Sequence, residues 1–285
     1  MNSLLQDLRY GARMLLKKPG FTLVAVITLS LGIGANTAIF SVVNGVLLKP
    51  LPFAEPERLV ALWETRGDAS DDTVSYPDFA DWRAQQSVFE RMAVYRDNTL
   101  TLTGEAKPAV LRAVTASADL FPLLGAKPLL GRMFLAEEDK PGNLVALLSH
   151  DAWRKYFNAD PNIAGRRVTL NGRSWTVVGV MAPGFNFPAR AEQVDLWITT
   201  AMEGEKTTED DTPMMEQRGV RFLKAIARLK PGVTQRQAQA ELDAVMGRLG
   251  AQYPDDDRGY KAVVEPFLEQ MVGGVVRRAL LILFG

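Results

Sequence analysis

Residues 19–48 read PGFTLVAVITLSLGIGANTAIFSVVNGVLL. No charge occurs in this stretch, and thirty residues at about 1.5 Å each would reach roughly 45 Å as a helix. The hydrocarbon of a bilayer is about 30 Å thick. Phe21 to Ile33 is the most apolar part; Gly32, Gly34, Ala35, Asn36 and Thr37 interrupt it before Ile39 to Leu48 resumes. The pattern predicts one membrane-spanning helix that continues past the bilayer. The alternative, a buried core helix, would be expected to keep a charged face over such a length.

The flanks give an orientation. Before the span lie Arg9, Arg13, Lys17 and Lys18 against Asp7, whereas after it Lys49, Arg58 and Arg66 are balanced by Glu55, Glu57 and Glu64. The positive-inside rule then places the N-terminus in the cytoplasm and the chain from about Pro50 on the far side of the membrane. A cleaved signal peptide is the competing interpretation, with the same consequence for the large domain. Ser3-Leu4-Leu5-Gln6 has the form of a capping box, and Leu4, Leu8, Ala12 and Leu15 recur at helical spacing beside a stripe of Arg9, Arg13 and Lys17. This predicts a basic amphipathic helix over 1–18 at the inner leaflet, or docked on a neighbouring cytoplasmic subunit.

Composition bounds the rest. The 285 residues are 47% hydrophobic and 23% charged, so most of the chain should fold in water. With 33 basic and 33 acidic side chains there is no global field for gathering nucleic acid. Zero Cys removes disulfides and thiolate chemistry, and a single His, His150, rules out a His-rich metal centre.

The exported part, about Pro50 to Val272, predicts strands at Leu59–Trp63, Met92–Tyr95, Val110–Thr115, Leu144–Leu148, Arg167–Leu170, Trp175–Val180, Leu196–Thr199 and Phe222–Leu229. Asn171-Gly172 marks a type I′ hairpin, because both residues tolerate positive φ. Ser75 and Ser149 should cap helices. Thr234-x-x-Gln237 should open the clearest one, with Ala238, Leu242, Val245, Leu249 and Tyr253 as its buried stripe before Pro254.

Candidate chemistry is sparse. Ser149-His150-Asp151 contains the residue types of a hydrolase triad, but neighbours at a helix start point in different directions. Glu137-Glu138-Asp139, Glu209-Asp210-Asp211 and Asp255-Asp256-Asp257 lack the spacing of a calcium loop and read as solvated loop charge. No phosphate-cradling loop occurs, so any ATP must be bound by another polypeptide. Residues 204–218 read as a long polar surface loop, in which Met214-Met215 is either a partner contact or merely mobile. Ala279-Leu-Leu-Ile-Leu-Phe-Gly285 looks like the start of a second membrane helix.

The opening DLRYGARMLLKKPGFTLVAVITLSLGIGANTAIFSVVNGVLLKPLPF, then SYPDFADWRAQQSVFE, DLFPLLGAKPLLGRMF, DAWRKYFNADPNIAGRRVTLNGRSWTVVGVMAPGFNFP and PGVTQRQAQAELDAVMGRLGAQYP together resemble an ABC transporter permease of the MacB/FtsX type. They most resemble the subgroup with a duplicated permease unit described from acidobacteria, and the match runs through essentially the whole chain. Strands interspersed with helices at irregular intervals already argue an α+β class, and with the resemblance the chain divides into an N-terminal amphipathic helix (1–18), a transmembrane helix reaching into the periplasm (19–48), a MacB-like periplasmic core domain (49–272) and the truncated start of a second membrane helix (273–285). It implies that the periplasmic domain has a porter-like half carrying an inserted, small β-rich half at about 118–220.

Its functional implication is coupling rather than chemistry. A non-catalytic permease subunit in the bacterial inner membrane would form a homodimer, contact membrane lipid and engage a separate cytoplasmic ATP-binding ABC subunit. It would pass ATP-driven movement to its periplasmic domain, for export or mechanical signalling, with room for a periplasmic or outer-membrane partner. Catalytic, cofactor-binding and metal residues are expected to be absent. The alternative is a single-span anchored periplasmic binding or assembly module; an anchored hydrolase would need a reactive His150. Gly32, Gly34, Ala35 and Gly45 would admit close helix approach, or are ordinary membrane-helix composition.

Overall fold

The computed structural model describes residues 17–43, 51–67, 73–104, 108–188, 193–206 and 211–271. Most of the expected helix over 1–18, Gly45, Glu209-Asp210 and the segment 273–285 lie outside the described residues. The chain divides into two compact units, Met1–Pro50 and Leu51–Gly285.

The first unit holds α1 (Pro19–Val43). Phe21, Leu23, Val24, Leu29, Leu31 and Ile33 are between 62% and 69% exposed, and at 100° per residue they surround the helix rather than lining one face. Thr22 and Thr28 turn their hydroxyls back to Lys18 O (3.1 Å) and Val24 O (2.9 Å), so neither depends on an outside partner. Side chains of α1 are described for 19–34 and 37, and among the described residues no helix is long and apolar enough to cross a membrane.

The second unit contains β1 (Leu59–Arg66), α2 (Tyr76–Gln85), β2 (Phe89–Thr103), β3 (Ala109–Ala116), α3 (Leu120–Leu124), β4 (Pro128–Gly131), β5 (Val145–Leu148), α4 (His150–Phe157), β6 (Arg167–Leu170), β7 (Arg173–Met181), β8 (Leu196–Thr199), β9 (Lys224–Leu229), α5 (Gln235–Gln252) and β10 (Tyr260–Pro266). All ten strands join one sheet in the order β10-β1-β9-β2-β3-β8-β5-β7-β4, with β6 bridging β2 and β7. The mixed helix-and-sheet class is as expected.

The first half of this sheet is antiparallel, β10-β1-β9-β2. Alternation puts Val60, Leu62, Ala225, Ala227 and Val264 on the face covered by α2 and α5, which contribute Phe79, Trp82, Leu242, Val245 and Leu249. The caps set those helices. Ser75 Oγ accepts the Asp78 N–H at 3.2 Å, and Thr234 and Gln237 form the reciprocal box at 3.3 and 2.8 Å. The predicted stripe of α5 is buried as far as Leu249, whereas Tyr253 is half-buried against an arginine.

The second half is a ring. Pairs β2–β3, β3–β8, β8–β5, β5–β7, β7–β6 and β6–β2 return to their starting strand. Closure removes the edges that these short strands would otherwise expose. Its core gathers Leu100, Leu111, Leu148, Val168, Trp175, Val177 and Ile198, with Phe157 of α4 among them. The β6–β7 hairpin turns at Asn171 (φ 50°) and Gly172 (φ 74°), the I′ geometry read from the sequence.

Three expectations are corrected. β2 runs fifteen residues rather than the four of Met92–Tyr95, because its Leu100 and Leu102 end enters the ring. β4 and β10 had no sequence signal strong enough to predict them: β4 is a short edge strand with alternating partial burial, and Lys261, Glu265 and Pro266 break the apolar pattern of β10. The segment 204–218 is not a plain surface loop. Its described part contains a 3-10 turn at Met214–Glu216, Met215 packs on the helix-side core, and Arg218 is bound to buried acids.

Candidate functional site

Charge is concentrated where α2 starts. Asp78, the third residue of that helix, is buried and accepts the Ser75 hydroxyl at 2.9 Å. Glu64, inward-facing on β1, accepts the Ser75 N–H at 3.2 Å, and Asp257 reaches the same point from the loop after α5. Two arginines from the segment leading into β9 neutralise them. Arg218 pairs with Asp78, with Asp81 at 2.6 Å and with Asp257 at 3.5 Å. Arg221 pairs with Glu64, with Asp257 at 3.1 Å and with Asp78 at 3.6 Å. Each guanidinium also covers an aromatic ring, Arg218 over Tyr253 at 3.9 Å and Arg221 over Tyr260 at 3.6 Å.

Carboxylates outnumber guanidinium groups here, and the site responds by keeping protons. Burial, reinforced by the negative charge of Asp78, pushes Glu64 up to about 9. The same two causes push Asp257 up to about 6, while Glu64 keeps its proton at neutral pH. At Ala118, Asp139 accepts the backbone N–H at 3.0 Å, and burial again raises it to about 6. An acid whose pKa is higher folded than unfolded binds more protons in the folded state between the two values, so stability falls as pH rises through that window. The melting temperature should therefore fall as pH rises from about 5 towards 9. A profile that rises over this range in a thermal-denaturation series would contradict the assignment.

A shallow groove of about 450 Å3 lies beside this cluster, lined by Asp243, Met246, Gly250, Arg258, Tyr260 and Lys261. Its lining carries both signs of charge, Asp243 and Asp257 with Arg258 and Lys261. Among the described residues no group of three His, Asp or Glu side chains is placed to hold a metal ion.

A second junction lies on the opposite face of the sheet, where the segment that begins the unit and the residues just after β10 meet the ring half. The entering segment is fixed by Phe53 in the core, by Ala54 N–H to Leu124 O at 3.1 Å, and by buried Arg228, which donates to Ala54 O (2.6 Å), Glu55 O (3.1 Å) and Leu123 O (2.5 Å). Gly125 closes α3 at φ +68°, and a Cβ there would lie 2.6 Å from the Ala54 Cβ. Phe187, from the β7–β8 connection, lies 5.8 Å from Phe53, 4.8 Å from Tyr95 and 6.0 Å from Phe267 just after β10. Trp197 donates its indole N–H to Phe187 O at 3.0 Å and packs edge-on to Phe121.

The residues singled out in the sequence fall elsewhere. Ser149 Oγ accepts the Ala152 N–H at 3.1 Å as a helix cap, while His150 Nδ1 lies 3.4 Å from Asp151, itself bound by Gln193. No Ser149–His150 hydrogen bond forms among the described residues, and the triad types are not assembled. Two of the acidic tracts are not simply solvated: Glu138 is buried against Arg132 at 2.6 Å, and Asp257 is buried as above. No local sequence motif points to Arg218, Arg221 or Arg228. Their partners lie far away in sequence, 140 residues for Arg218–Asp78 and 157 for Arg221–Glu64, and only the strand alternation of Lys224–Leu229, which puts Arg228 among inward positions, carried a hint.

The family model for the MacB-like periplasmic core domain matches residues 22–245. The chain belongs to this family. Solved structures agree in fold with the MacB-like domain. The periplasmic region of MacB from Actinobacillus actinomycetemcomitans is 15% identical with a TM-score of 0.55, covering 80% of this chain and 98% of that one. A domain of a putative permease protein from Porphyromonas gingivalis is 16% identical with a TM-score of 0.56, covering 75% and 93%. The extracellular domain of the noncanonical ABC-type transporter YknZ from Gram-positive bacteria is 12% identical with a TM-score of 0.52, covering 72% and 99%. No curated protein sequence matches the chain. As a member of the MacB-like family, the chain takes its setting from ABC transporter permeases and their periplasmic domains.

Proposed function

We propose that this chain is part of a non-catalytic permease subunit of an ABC transporter, anchored in the bacterial inner membrane with its N-terminus in the cytoplasm and its large domain in the periplasm. The family match over 22–245 carries the reading. It is supported by α1, whose large apolar side chains face outward on every side and whose Thr22 and Thr28 hydroxyls are satisfied within the helix. In this reading 1–18 lies on the inner leaflet, 19–48 spans the membrane, 49–272 is the periplasmic domain with its insertion at about 118–220, and 273–285 begins a second span. A homodimer would engage a separate ATP-binding ABC subunit and pass its movement outward, for export or mechanical signalling, with no catalytic, cofactor or metal residue of its own.

The second junction suits such a role. Arg228 of β9 holds the entering segment at two backbone carbonyls, Ala54 O and Glu55 O, and α3 at a third, Leu123 O, so displacement there would move α3 and β9 with it.

The absence of cysteine makes topology directly testable. Exposed Glu137→Cys should react with a membrane-impermeant maleimide in spheroplasts of cells expressing the full chain, while Lys17→Cys should react only after lysis. Labelling of both before lysis, or of neither, would refute the orientation. Co-purification of an ATP-binding ABC subunit with the detergent-extracted chain tests the permease role separately.

A further inference from the structure

One edge of the large sheet is β10, which pairs on its inner side with β1. At Ala262 and Val264 its backbone N–H and C=O groups point outward, and three of these four are taken by two side chains of α5. Gln239 accepts the Val264 N–H at 2.8 Å and donates to Ala262 O at 2.8 Å, while Gln235 donates to Val264 O at 2.7 Å. A glutamine amide has the donor–acceptor pair of a peptide group. Spaced four residues apart, Gln235 and Gln239 project from one face of the helix and stand where an eleventh strand would run. Gln239 also donates to Asp243 at 2.8 Å, which steadies it in that position.

The covered strand is self-complementary. If β10 met an antiparallel copy of itself with Val263 opposite Val263, the outward Ala262 and Val264 would form hydrogen-bonded pairs with Val264 and Ala262 of the copy. Lys261 would then lie opposite Glu265, twice, by the twofold symmetry. Shifting the register by two residues removes these matches.

We propose that β10 is an interface for a second copy of this chain, paired antiparallel about Val263, and that Gln235 and Gln239 hold this edge shut. In the closed state their three hydrogen bonds occupy Val264 N–H, Val264 O and Ala262 O, which blocks strand addition. Opening requires only that two side chains swing away, since no backbone pairing has to break. The proposal rests on the residues of β10 and α5 and not on the permease reading.

The test uses the full chain in membranes. Val263 sits at a non-hydrogen-bonded position of the paired arrangement, where opposing Cα atoms lie about 4.5 Å apart, inside the range that a disulfide bridges. In the cysteine-free background, Val263→Cys alone should stay uncross-linked under a mild copper oxidant. The triple variant Val263→Cys with Gln235→Ala and Gln239→Ala should become a disulfide-linked dimer in more than half of its molecules. Adding Lys261→Glu should cut that yield several-fold, and Lys261→Glu with Glu265→Lys should restore it. Hydrogen exchange at the Val264 amide, slow in the parent, should quicken in the Gln235→Ala/Gln239→Ala variant of the uncross-linked chain. No cross-link in the triple variant overturns the pairing. Equal cross-linking with and without the glutamines overturns their holding role, as does a Val264 amide whose exchange is unchanged.

Discussion

Replacing Arg221 with Ala should destabilise the large unit by about 3–5 kcal/mol, the cost of leaving a buried acid cluster with one of its two cations. In a unit of this size that corresponds to a fall of about 10 °C in melting temperature. Asp257 and Asp78 are left with Arg218 alone, the buried Glu64 loses a hydrogen-bond donor, and the ring of Tyr260 loses the guanidinium stacked upon it. Glu64→Gln is the informative contrast. Because Glu64 already holds a proton at neutral pH, the amide should cost under about 1 kcal/mol, and it should flatten the decline of stability between pH 6 and 9. If thermal melts show Glu64→Gln to be as damaging as Arg221→Ala, Glu64 is ionised and the charge arrangement described here is wrong.

Trp197→Ala should have an effect of similar size, about 3–5 kcal/mol, for a different reason. Trp197 is fully buried on β8, packed against Phe121 and Phe185, and its indole is hydrogen-bonded to Phe187 O. Truncation leaves a large cavity and an orphaned carbonyl in the cluster that joins the two halves of the sheet. Trp197→Phe keeps most of the volume and loses the hydrogen bond, so about 1–2 kcal/mol is expected. Equal losses in the two variants, measured by denaturant unfolding, would mean that packing at this position contributes little.

What could be read in advance follows a physical rule. Local devices were legible: the Ser75, Ser149 and Thr234 caps act within three residues, and Asn171-Gly172 fixes its own turn. The uncharged run at 19–48 was equally plain, because it needs no partner to be recognised. Illegible were features decided by contacts distant in sequence. Lys261 and Glu265 disguise β10 as a loop, since only the partner strand β1 makes its alternation meaningful. Asp255-Asp256-Asp257 looks uniformly solvated, yet Asp257 alone is drawn inside by two arginines nearly forty residues away. The candidate site was missed for that reason. Its acids and bases come from four separate segments, and no spacing rule connects them.

Strand β2 carries a mechanical consequence. Its first part pairs with β9 in the open half and its last part with β3 and β6 in the ring, without a break in between. The two halves are thus joined by a continuous hydrogen-bonded ribbon rather than by a flexible tether. Any displacement of one against the other has to bend and twist that ribbon, as a leaf spring does. Such movement is small in amplitude, stores elastic energy, and reverses by itself when the load is removed.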